Sequence, residues 1–122
     1  MMDFTYDDQN IFAKILRGEI PNKTVYEDDF VLAFEDISPQ APVHVLVIPK
    51  GPYVSLDHFA AEASAEEQTG FFRAVAEVCR IADVEGGFRA IANTREDGMQ
   101  EVPHFHLHIL GGRRMGPLVV RG

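Results

Sequence analysis

A single cysteine, Cys79, leaves the chain unable to form an internal disulfide, which suits a reducing compartment such as the cytoplasm. Positive charge is scarce: 11 lysines and arginines stand against 19 acidic residues, a net charge of −8 at neutral pH. Proteins that coat nucleic acid or anionic membranes carry the opposite balance, so neither partner is expected. One anionic ligand held by a local constellation is still compatible with that charge. No apolar run approaches the roughly 20 residues of a membrane span, and the acidic N-terminus lacks the basic-then-apolar pattern of a signal peptide. Repeats, linkers and low-complexity tracts are missing too. What is present is ordinary for a packed globular domain, with 46% apolar and 25% charged residues. A soluble cytoplasmic protein of one domain, residues 1–122, is the expectation, with a polar, frayed segment at 1–9 and an irregular tail at 113–122.

Hydrophobic periodicity gives an α+β reading. Asn10 is a candidate N-cap for a short helix carrying Ile11, Phe12, Ile15 and Leu16, with Gly18 as its stop. Residues 23–27 and 30–35 read as a hairpin around Asp28 and Asp29, followed by a proline-punctuated loop at 36–42. Val43–Pro49 is almost continuously apolar and reads as a central strand buried on both faces. Ser64 and Glu67 have capping-box spacing ahead of Phe71, Phe72, Val75, Val78, Cys79 and Ala82, which predicts an amphipathic helix over 64–83. Residues 88–93 and 102–110 complete the strands. The predicted architecture is a five-stranded antiparallel sheet with one long and one short helix.

The last strand carries the chemistry. His104, His106 and His108 alternate with Phe105, Leu107 and Ile109. In an extended segment the three imidazoles share one face, roughly 6.5–7 Å apart at Cα, while the apolar residues face the core. Groups that titrate near neutrality are seldom lined up without a task. If the strand carrying His44 approaches, four imidazoles cluster. His58 reads as a surface residue ahead of the long helix. Three readings fit the cluster: imidazole nucleophilic catalysis at phosphorus, a partial zinc site, or a pH-sensitive structural interface. Taken alone, Phe12, Ile20, Phe34 and Ile37 read as plain core, Asp36 as a loop cap, and Asn93 as a strand-end turn residue.

The segment His104-Phe-His106-Leu-His108-Ile-Leu110 resembles the signature of histidine-triad (HIT) nucleotide-binding proteins. Phe12–Pro21 and Val31–Lys50 are similar to the Hint branch of that family, and the 36–42 loop resembles Hint more than the diadenosine-polyphosphate hydrolases. The resemblance implies a HIT-like fold that pairs into a ten-stranded sheet in a homodimer. It implies hydrolysis of purine nucleoside 5′-phosphoramidates, without metal or cofactor, through a nucleotidyl-histidine. His106 would be the nucleophile, His108 would contact the phosphate oxygens, and His104 and His44 would hold their neighbours. Asp36 would accept from the ribose hydroxyls. Phe12, Ile20, Phe34 and Ile37 would form the purine slot, with Asn93, Gln100, Glu101 and Val102 on the phosphate side. The ligand implied is AMP or GMP and their phosphoramidates. A regulatory nucleotide-binding module with vestigial hydrolysis, or a dinucleoside-polyphosphate hydrolase, are the alternatives.

The chain departs from the family pattern at several places. Glu101 stands where Hint proteins usually carry Ser or Thr, which suits a cationic amine leaving group. Arg95 and Met99 replace glycines typical of their turn, and Pro52 replaces a histidine common in the family. The tail lacks the tryptophan-proline ending of some Hint proteins.

Overall fold

A computed structural model describes residues 3–120. Five strands form one antiparallel sheet: β1 (Thr24–Glu27), β2 (Val31–Glu35), β3 (Val43–Pro49), β4 (Phe88–Ile91) and β5 (Leu107–Gly111). Their order across the sheet is β1-β2-β3-β5-β4. The strand nearest the C-terminus is therefore inserted between β3 and β4. Three helices accompany the sheet: α1 (Ile11–Leu16), α2 (Leu56–Glu62) and α3 (Ala65–Ala82).

Local sequence explains the elements. Asn10 caps α1 by accepting from the Ala13 N–H, and Gly18 leaves the helix at φ +79°, a conformation that favours glycine. Ser64 and Glu67 form the reciprocal capping box expected of them. The separate helix α2 is an addition to the two expected ones. Its signals are Ser55, whose side chain accepts from the His58 N–H, and Asp57 in the first turn. Its presence corrects the placement of His58, which is buried rather than on the surface.

The two faces of the sheet bury different things. Val31, Ala33, Val45, Val47, Phe105 and Ile109 pack with Phe71, Ala74 and Val78 of α3 in the larger core. On the other face Leu32, Phe34, Leu46 and Ile48 pack with Phe12 and Ile15 of α1. Every residue of β3 from His44 to Pro49 is buried, as expected of the central strand. Cys79 is half-buried against the larger core, and burial raises its thiol pKa.

The histidine segment is shorter as a strand than its alternation predicts. Only His108 lies within β5; His104 and His106 precede the ladder. Pro103 has no N–H to give, the Phe105 N–H donates to the Tyr53 carbonyl, and the His104 N–H to that of Val102. Those bonds keep the chain out of the ladder before Leu107 while Phe105 and Ile109 still pack in the core.

Candidate active site

Register brings the histidines together. Leu46 pairs with His108 and His44 with Leu110, so His44 and His108 are diagonal neighbours on the α1 face. The rings run in a row, His44 to His108 at 5.2 Å between centroids and His108 to His106 at 5.0 Å. Phe12 stands edge-on to His106 at 5.0 Å and to His104 at 6.4 Å. Four residues from two distant stretches of sequence thus form one cluster.

Fixed backbone groups set the tautomers, because an N–H can only donate and a carbonyl can only accept. The Gln40 N–H donates to His44 Nδ1 at 3.1 Å, so neutral His44 carries its proton on Nε2. That nitrogen lies 2.9 Å from His108 Nδ1, which must accept, leaving the His108 proton on Nε2. His106 Nδ1 lies 2.7 Å from the His104 carbonyl oxygen and therefore carries the proton. Among the described residues its Nε2 lone pair has no partner. His104 Nε2 donates to the Pro49 carbonyl at 2.8 Å.

Burial favours the neutral forms of His104, His106 and His108. Loss of hydration is the largest influence on His104 and brings its pKa down to about 4; its bond to Pro49 opposes this and His106 adds to it. His108 is also lowered to about 4, by burial first and then by His106 and His44, against the pull of Asp36. His106 is lowered by burial, with its bond to the His104 carbonyl and the carboxylates of Asp36 and Glu101 pulling the other way. A neutral imidazole with a free Nε2 is a nucleophile, and the neighbouring His108 Nε2–H is a donor for an anionic oxygen.

Asp36 joins two of the readings its sequence position allows. Its Oδ1 accepts from the Ser38 N–H at 2.8 Å, an Asx-type turn, while Oδ2 lies 3.5 Å from His44 Nε2. Asp36, His44 and His108 are the one group of potential metal ligands that converges among the described residues. The His44–His108 contact is fully accounted for by one shared proton. An open cleft of about 530 Å³ ends at this point, lined by Pro21, Asn22, Lys23, Asp36, Ile37 and His44. Its size falls in the range of small-molecule sites.

The remaining expected residues are distributed unevenly. Phe12 and Phe34 meet edge to face at 5.5 Å in the α1-side core, with Ile20 and Val102 packed against them. Ile37 is 95% exposed on the lining of the cleft, beside Asp36. Asn93 is half-buried just beyond β4. The Gln100 amide is taken up inside the protein, donating to the carbonyls of Val54 and Val102 and accepting from the Arg95 N–H. Glu101 is exposed. Arg95 and Met99 adopt φ of +53° and +58°, the left-handed conformation in which glycine is at ease. Arg95 also makes a two-pronged ion pair with Asp57 of α2, which holds that carboxyl down at about 2.

A family model for the HIT domain matches residues 17–115. The chain belongs to the HIT family. It is 56% identical over 119 residues to a HIT-like protein of Azospirillum brasilense, covering 97% of this chain and 98% of that one. It is 45% identical over 116 residues to the purine nucleoside phosphoramidase of Escherichia coli K12, covering 92% and 94% respectively. Among solved structures, a histidine triad protein of Clostridium difficile superposes with a TM-score of 0.81 at 39% identity, covering 94% of this chain and all of that one. The HIT assignment and the five-stranded fold are those expected from the His104–Leu110 motif.

Sequence reasoning overlooked two features of this HIT domain. Gln40 acts through its backbone N–H, for which residue type gives no signal. Tyr6, at 2.6 Å from His104 Nδ1, lies in a segment read as frayed.

Proposed function

We propose that the protein is a hydrolase of purine nucleoside 5′-phosphoramidates that works through a nucleotidyl-His106 intermediate. One observation carries the reading. His106 has its Nδ1–H tied to a carbonyl and its Nε2 lone pair free, beside the outward Nε2–H of His108. In the first step the Nε2 lone pair attacks the α-phosphorus, the P–N bond breaks, and the amine departs with a proton relayed through the site. In the second, water attacks phosphorus, the P–Nε2 bond breaks, and the nucleoside monophosphate leaves.

His108 donates to the phosphoryl oxygens, and His44 fixes the tautomer of His108. His104 holds His106 through its carbonyl. Asp36 accepts from the ribose hydroxyls; Phe12, Ile20, Phe34 and Ile37 border the base; Asn93, Glu101 and Val102 lie on the phosphate side. Gln100 contributes from behind, by holding the Val102 peptide. Glu101 suits amines that carry a second, positive charge. The relative named as a purine nucleoside phosphoramidase supports the choice of the P–N bond. A homodimer belongs to the same reading, supported by β4 as an open edge with Phe88 half-exposed and by Phe72 at 62% exposure on α3.

The test is intact mass after brief incubation with adenosine 5′-phosphoramidate. A nucleotidyl adduct is expected on the wild type and none on His106→Ala, whose turnover falls by at least about 10³-fold. Glu101→Ser should lose any preference for cationic over neutral amines in the same assay. Tight AMP binding without turnover would instead identify a nucleotide-binding module. Faster cleavage of a diadenosine polyphosphate would identify the other enzyme branch.

A further inference from the structure

Two aromatic rings near the start of the chain are anchored on residues far along the sequence. Phe4 lies flat against the imidazole of His58 on α2, with centroids 4.5 Å apart and planes 7° from parallel. Tyr6 stands edge-on to His104 and brings its hydroxyl within 2.6 Å of Nδ1. The Asp3 carboxylate, just before them, accepts from both the backbone N–H and the hydroxyl of Thr5, which lies between them.

His104 has no exposed surface, and its Nε2 donates to the Pro49 carbonyl. In the neutral ring Nδ1 is then an acceptor, and the Tyr6 O–H is its donor. The same residue's carbonyl receives the His106 Nδ1–H. A short line of hydrogen bonds therefore runs from Tyr6, through His104, to the nitrogen opposite the reactive one on His106.

We propose that Tyr6 is a positioning residue. The Phe4–Tyr6 segment straps over the inner end of the histidine row, and the Tyr6 hydroxyl closes His104 Nδ1. His104 thereby stays dry, keeps one tautomer and holds its carbonyl against His106. The effect on turnover rests on the hydrolase reading above; the strap and the state of His104 are properties of the resting protein. The groups facing His104 are few. Tyr6 comes from the strap, Phe12 from α1, the Pro49 carbonyl from β3, and His106 from its own segment. On the Tyr6 hydroxyl itself act the Asn10 side chain and then the charges of Arg17, Asp8 and Asp7. Among the described residues the other imidazole facing His104 is therefore His106, and a proton on His104 would oppose any positive charge developing there. Excluding water from His104 keeps that proton away.

The experiment uses the full chain and the variants Tyr6→Phe and Tyr6→Ala. Histidine side-chain ¹⁵N–¹H correlation spectra are recorded against pH without ligand, alongside pH profiles of kcat and kcat/KM for adenosine 5′-phosphoramidate. In Tyr6→Ala water reaches the ring, so the His104 titration midpoint rises by about one unit or more. The acid limb of kcat/KM rises with it. The kcat of Tyr6→Ala falls about tenfold, while KM stays within about twofold because Tyr6 lines none of the cleft. Tyr6→Phe keeps the site dry, so the midpoint stays low, but the His104 Nδ1 resonance shifts and kcat falls about threefold for want of the donor. An unchanged Nδ1 resonance in Tyr6→Phe overturns the proposal, and does so even where Tyr6→Ala fails to fold. So does an unchanged His104 midpoint in folded Tyr6→Ala. A wild type that hydrolyses no phosphoramidate overturns the hydrolase reading alone, since the spectra decide the strap without turnover.

Discussion

The two ends of the histidine row are built on opposite principles. At the inner end both nitrogens of His104 are spent, one on Pro49 and one on Tyr6, and the ring has no exposed surface. At the outer end His44 and His108 share one proton beside the cleft, and the outward nitrogen of His108 has no protein partner among the described residues. The inner end is a finished structure, and the outer end is an unfinished one. His106 belongs to both: its Nδ1 is committed inward and its Nε2 faces the unfinished side. Chemistry can occur only where a hydrogen-bonding group is left wanting a partner, and holding that group still requires that its neighbours want nothing.

The comparison can be broken most sharply at the outer end. His44→Phe keeps the ring volume but removes the donor that fixes His108, so His108 is free to turn its proton inward. We expect kcat/KM for the phosphoramidate to fall about 10²-fold, with the fold intact by circular dichroism. Loss of less than about threefold would mean that the His44–His108 contact is only packing.

The inner end should reveal itself through acid stability. His104 has a folded pKa of about 4 against an ordinary 6.5, so between these values the unfolded chain binds more protons. Its contribution is fully present above 6.5 and is lost as pH falls towards 4, by about 3 kcal/mol in total. Thermal melts should therefore show Tm dropping across that window, and His104→Gln should lessen the drop while leaving the share due to His106 and His108.

The smallest effect lies away from both ends. Met99 is 77% exposed and held at φ +58°. Met99→Gly should raise stability by about 1 kcal/mol, since the left-handed conformation costs an L-residue roughly that much. Denaturant unfolding would measure it, and a loss of stability would show that the Met99 side chain contributes packing.

The capped helix α3 and the central strand β3 were legible because their signals are local: a capping box before a 3.6-residue stripe, and an apolar run between prolines and a glycine. The His104–Leu110 motif was legible because its alternation is unusual. Helix α2 was not, since its seven residues are too few for periodicity to rise above the background. His58 went with it. The start of the strand was placed too early because alternation runs through Pro103–His106 even though the ladder does not. Ile37 was legible only through the resemblance: it is 95% exposed yet lines the cleft beside Asp36 and His44, and no periodicity marks an exposed apolar residue in a loop. The anchors Phe4 and Tyr6 were hidden for a different reason. Their partners lie 54 and 98 residues away, and nothing in a polar stretch of nine residues announces contacts at that distance.

The insertion of β5 between β3 and β4 has a consequence for how the molecule comes to exist. Until β5 is in place, β4 has no neighbour and β3 has a bare edge, so no smaller sheet contains all the strands. His44 and His108 are 64 residues apart and meet only through that same strand. Closing so long a loop is slow compared with forming α3 or the β1–β2 hairpin. A chain halted before that closure would have much of its secondary structure and no paired histidines. The appearance of activity during refolding should therefore follow the last, nonlocal phase, well after helical signal has returned.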